Sequence, residues 1–132
     1  MKYMLLMQFS AQTLEVPRID SWQREEIGAH IDFMRRVNEK LQAAGEFVEA
    51  RGLEMPETAL IVKAGPDGAP LVTDGPFAET KEFLAGWWIV DVDSAERAVA
   101  IAAEVSTAPG PGGKPLNMPI EVRKVGEAPK DF

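Results

Sequence analysis

Apolar residues alternate from Tyr3 to Phe9. Tyr3, Leu5, Met7 and Phe9 share one side, and Met4 and Leu6 take the other. Apolar side chains on both sides predict a strand that is covered on both faces. Ser10 to Ile19, containing Pro17, is expected to be a loop. The period then lengthens to three and four. Ile27, Ile31, Met34, Val37, Leu41 and Ala44 predict a helix that starts at a cap on Asp20 or Ser21 and stops at Gly45.

Phe47 to Leu53 predicts a second strand. Ala59–Ala64 and Leu71–Thr73 flank G-P-D-G-A-P and predict a hairpin. Phe83 to Val92 gives the strongest strand signal in the chain. Alternation sets Phe83, Ala85, Trp87 and Ile89 on one face and Leu84, Trp88, Val90 and Val92 on the other. It does not say which tryptophan meets the core. Ser94 caps a second helix with Ala95, Ala98, Val99, Ala102 and Val105 on its inner side. A Pro/Gly loop, A-P-G-P-G-G-K-P, separates that helix from a half-exposed last strand, Ile120 to Val125. Residues 126–132 form a tail without periodicity.

This order predicts one α+β domain over residues 1–132: a ferredoxin-like βαββαβ sheet with two helices on one face. Two helices leave the other face bare, although the first strand and the tryptophan strand are apolar there. A second copy packed face to face would cover it, which predicts a homodimer.

Composition narrows the partners. The 132 residues carry a formal net charge of −7 and no cysteine. Disulfides, thiol nucleophiles and cysteine-ligated metals are thereby excluded, and a reducing, cytoplasmic setting fits. An acidic chain without a basic cluster repels a phosphate backbone, so no nucleic acid is expected. The apolar stretch after Lys2 is too short for a membrane span or a signal peptide, so no membrane association is expected either.

His30, the single histidine, is the one side chain with an unperturbed pKa near neutrality. It falls within the apolar stripe of the first helix. It reads either as a buried ring bonded to a carbonyl or as a general acid/base facing a pocket. Asp74 opens D-G-P-F-A-E-T-K-E. It reads either as a turn brace or as the carboxylate that orients His30 and stabilises its charged form. Glu79, Thr80 and Lys81 follow at a sheet end, where a substrate pocket could open, with Trp87 or Trp88 as a wall. One histidine without cysteine gives no zinc-type ligand set, and no phosphate loop or dinucleotide fingerprint is present. No cofactor and no metal are expected.

The motif, preceded by L-V-T and followed by F-L-A-G-W-W-I-V-D-V, resembles the signature of the YCII-related proteins, in the branch often called the DGPF domain. M-K-Y-M-L-L, N-E-K-L-Q-A-A-G-E, S-A-E-R-A and P-I-E-V-R extend the resemblance over nearly the whole chain. It implies a dimeric α+β barrel, in which two ferredoxin-like sheets pack face to face. It also implies an enzyme with a His-Asp pair in a cleft, at His30 and Asp74; together with the residues this leads to the expectation of cofactor-independent proton transfer on a small organic molecule. The branch's association with sigma factors implies an alternative, a non-catalytic ligand-binding or regulatory dimer.

Overall fold

The structure is a computed structural model and describes residues 1–75 and 82–129. Among the described residues, six strands and three α-helices follow one another: β1 Lys2–Phe9, α1 Ala11–Leu14, α2 Arg24–Ala43, β2 Phe47–Gly52, β3 Leu60–Ala64, β4 Pro70–Asp74, β5 Phe83–Asp91, α3 Ala95–Ser106 and β6 Ile120–Lys124. The main sheet has the order β2-β5-β1-β6, with antiparallel neighbours throughout. The β3–β4 hairpin is a separate two-stranded sheet. Without that hairpin and the one-turn α1, the order is βαββαβ, the ferredoxin-like α+β arrangement expected from the pattern.

The core lies between one sheet face and the two long helices. Tyr3 and Leu5 of β1 and Trp88 and Val90 of β5 meet Val37 and Leu41 of α2 and Ala98, Ile101 and Val105 of α3. Burial of each such large aliphatic side chain contributes about 1.5–3 kcal/mol. Gly45 ends α2 as expected. Its positive φ of 73° places the Gly45 N–H on the Gln42 carbonyl and the Glu46 N–H on the Leu41 carbonyl. This doubly bonded stop satisfies carbonyls that the helix end would otherwise leave open.

Three expectations need correction. Helix α2 begins at Arg24, with Gln23 as its cap, and Asp20 and Ser21 belong to a separate 3-10 turn, Ile19–Ser21. The Glu26 carboxylate accepts the Gln23 N–H at 2.9 Å, the reciprocal bond of a capping box. On α3, Val99 points outward and is 57% exposed, whereas Ile101 is buried. Ala98, Ile101, Ala102 and Val105 form the true stripe, with spacings of three, one and three.

The third correction concerns Phe83. The β1–β5 register passes from Met7 opposite Gly86 to Gln8 opposite Leu84, leaving Ala85 as an extra residue. This bulge reverses the alternation below it. Phe83 therefore lies opposite Phe9, on the helix side, with ring centroids 5.5 Å apart.

The outer sheet face carries Met4, Leu6, Trp87 and Ile89, all half-buried. The hairpin exposes Leu60, Ile61, Val62, Leu71 and Val72. Among the described residues, no helix is long and apolar enough to cross a membrane.

Candidate functional site

A cavity of about 330 Å³ opens between α2 and the sheet end where Phe9 and Phe83 face each other. The sheet supplies Met7, Phe9, Ala50, Phe83 and Trp88 to its lining. Helix α2 supplies His30, Met34 and Asn38, and Trp22 precedes it. Leu116 and Met118 close it from the segment before β6. The lining is mainly apolar, as small-molecule cavities usually are, with a few polar groups set into it.

His30 stands seven residues before Val37, so helix periodicity turns it toward the sheet. It is 7% exposed. Its Nδ1–H donates to the Pro109 carbonyl at 3.0 Å. The Trp22 ring meets the imidazole edge-on, with centroids 5.6 Å apart and an interplanar angle of 81°. Trp22 is itself anchored, its Nε1–H donating to the Pro17 carbonyl at 2.7 Å. Burial pushes the His30 pKa below the ordinary 6.5, and the Pro109 bond opposes that shift without reversing it. Burial thus favours the neutral form of the ring. Because a carbonyl can only accept, Nδ1 carries the proton and Nε2 keeps a lone pair.

The loop that presents Pro109 is pinned at several points. Leu116 N–H donates to the Ala108 carbonyl at 2.9 Å, and Gly110 N–H to the Lys114 carbonyl at 2.7 Å. The Ser106 hydroxyl donates to the Met118 carbonyl at 2.7 Å. Glu26, already capping α2, accepts the Gly112 N–H at 2.6 Å. These two bonds hold its carboxyl below the usual carboxylate pKa, that from Gly112 contributing most. The P-G-P-G-G-K-P stretch therefore straps the start of α2 and aligns the carbonyl that fixes the histidine.

Both tryptophans contribute to the cavity lining. Trp88, 4% exposed, is the core one, and its Nε1–H donates to Asn38 Oδ1 at 2.8 Å. Trp87 lies opposite Leu6 and Arg51, on the outer face. Asp74 ends β4 opposite Leu60, is exposed, and does not belong to the cavity lining. Glu79, Thr80 and Lys81 lie outside the described residues. Among the described residues, no group of three or more histidines, aspartates and glutamates could hold a metal ion.

Sequence reasoning missed Trp22, Asn38 and Pro109. The eight-residue spacing from Trp22 to His30 could have suggested the first, had the helix start been placed correctly. Pro109 acts through its backbone, which side-chain motifs do not reveal.

The YCII-related domain model matches residues 1–110, from β1 through the Pro109 carbonyl that holds His30. An uncharacterised protein of Rhizobium meliloti (strain 1021) is 33% identical over 109 residues, covering 83% of this chain and 87% of its own. A family model over most of the chain and a relative this similar show that the chain belongs to the YCII-related domain family.

Proposed function

We propose that the cavity takes a small, largely apolar organic molecule and that His30 Nε2 accepts a proton from it, without a bound cofactor. One observation carries this reading: a buried imidazole, bonded at Nδ1 to the Pro109 carbonyl, lines an apolar cavity, and burial favours the neutral form whose second nitrogen can accept. A buried neutral ring of this kind has the form of a general base. The Pro109 carbonyl supplies the orientation, and the apolar walls favour an uncharged ligand. Asp74 enters as a second group through its place in the motif. Geometry supports His30, and the motif alone supports Asp74.

The protein works as a homodimer in this reading. Met4, Leu6, Trp87 and Ile89 on the outer sheet face, together with the apolar hairpin, need a cover that the described chain does not provide. A second copy offers matching surfaces.

A non-catalytic reading, in which the dimer only binds its ligand, is favoured by the sparse chemistry of the walls. His30 and Arg51 are the ionisable side chains among the lining residues. Arg51 is already bonded to the Ala50 carbonyl and faces Glu49.

Phenol, an apolar ring with one weakly acidic O–H, separates these ideas when titrated against the indole N–H NMR signals of Trp22 and Trp88, which also line the cavity. The expected outcome is saturable shifts that vanish when Met34→Trp fills the cavity. His30→Gln should weaken binding by about 0.5–1.5 kcal/mol, the worth of one hydrogen bond. Equal affinity in His30→Gln would remove His30 as the acceptor and leave the binding reading.

A further inference from the structure

Two segments face each other at one end of the cavity. One is the stretch around Pro17–Trp22, which contributes Ile19 and Trp22 to the lining. The other is the stretch after β2, which contributes Leu53 and Met55. Arg18 and Glu57 join them. Both guanidinium Nη atoms engage the Glu57 carboxylate, Nη2 to Oε2 at 2.7 Å, in the paired geometry that suits arginine. Among the described residues, this is the one polar link between the two segments.

The pair is also tied to the cavity wall. The Arg18 guanidinium carbon sits 5.8 Å from the centroid of the Phe83 ring, and Phe83 lines the cavity. Phe83 is there because of the bulge at Ala85, which turns it to the helix side. A second, more open cavity lined by Leu53, Met55, Pro56 and Phe83 adjoins the same end. The ion pair therefore stands beside Phe83, the residue against which the Arg18 guanidinium packs and which lines both cavities.

We infer that the Arg18–Glu57 pair is a latch across the mouth of the His30 cavity, closed in this structure and opened by separation of the two segments. This rests on the cavity being a small-molecule site, but the latch itself can be read without any ligand. An exposed pair adds little to global stability, because water and salt screen it. Its effect is local: it sets how often the two rims part, a low-energy opening of the kind loops undergo. Arginine fits this post better than lysine, since one planar group bridges the carboxylate and covers an aromatic ring.

Acrylamide quenching of tryptophan fluorescence tests the latch. In a Trp87→Phe background the two remaining tryptophans, Trp22 and Trp88, both line the cavity. Acrylamide is small and neutral, so it reports access whether or not the cavity binds anything. Glu57→Gln and Arg18→Met should each raise the quenching constant by about twofold or more, through more frequent local opening. Roughly 1 M NaCl, where the Debye length is about 3 Å, should do the same to the parent but not to Glu57→Gln. The response of the parent to salt needs no substitution in the latch, so a folding defect in the variants cannot obscure it. Quenching that ignores salt and both substitutions would overturn the latch, while leaving the phenol titration to judge the cavity separately.

Discussion

The His30 Nδ1–H donates to the Pro109 carbonyl at 3.0 Å, across 79 residues of chain. This bond joins the middle of α2 to the loop after α3. It fixes the tautomer, so the whole chemical character of the ring rests on a backbone oxygen. Shortening or stiffening that loop would alter the ring's orientation without touching a side chain of the cavity.

Stability should depend on His30 in a definite pH window. Its folded pKa lies below 6.5, so the unfolded chain binds the proton first as pH falls. The stabilising contribution is fully present above about pH 6.5. It declines below that value and levels off once the folded ring also protonates. Chemical denaturation across this range should show the decline in the wild type. It should be absent from this range in His30→Gln.

The buried indole of Trp88 depends on Asn38. Asn38→Ala removes the acceptor 2.8 Å from Nε1 and leaves a core N–H without its partner. Such a loss costs about 1–3 kcal/mol. Trp88→Phe in the Asn38→Ala background should couple with it, which a double-mutant cycle of denaturation free energies measures.

The opening of the motif has a steric requirement. A Cβ at Gly75 would lie 2.6 Å from Ile61 Cγ1, across the hairpin. Gly75→Ala should therefore destabilise the protein by about 1–3 kcal/mol through overpacking. Adding Ile61→Ala should recover part of that loss. Thermal melting distinguishes this steric role from a purely chemical one, in which the motif glycine would tolerate alanine.

The proposed dimer is tested on the sheet face. Ile89→Asp places a charge among Met4, Leu6 and Trp87 without entering the helix-side core. Sedimentation should show a dimer for the wild type and a monomer for the variant. A wild-type monomer at high concentration would end the face-to-face reading.

Much of this fold was legible in the chain because the sheet is amphipathic and its breaks are chemically marked. Gly45 stops α2 as its position suggested, and Ser94 caps α3, its side chain accepting the Arg97 N–H at 3.2 Å. The face of Phe83 was not legible, since a single bulged residue at Ala85 reverses a strict alternation. The start of α2 was obscured by the better-known capping residues Asp20 and Ser21, which belong to the preceding 3-10 turn. At the site, the sequence offered two readings of His30, a buried ring bonded to a carbonyl and an acid/base paired with Asp74; the ring bonds the Pro109 carbonyl and also lines the cavity. Burial favours the neutral ring, and its one N–H found a backbone carbonyl, an acceptor that side-chain motifs do not reveal. Asp74, on an exposed hairpin end, could not be located from the motif.

The central claim is that His30 is a neutral Nδ1–H imidazole with an accepting Nε2. Long-range ¹H–¹⁵N NMR of this single histidine measures its tautomer and pKa together. The account predicts the Nδ1–H form, a pKa below 6.5, and the same value in Asp74→Asn. A pKa above 6.5 that falls in Asp74→Asn, or an Nε2–H tautomer, would contradict it.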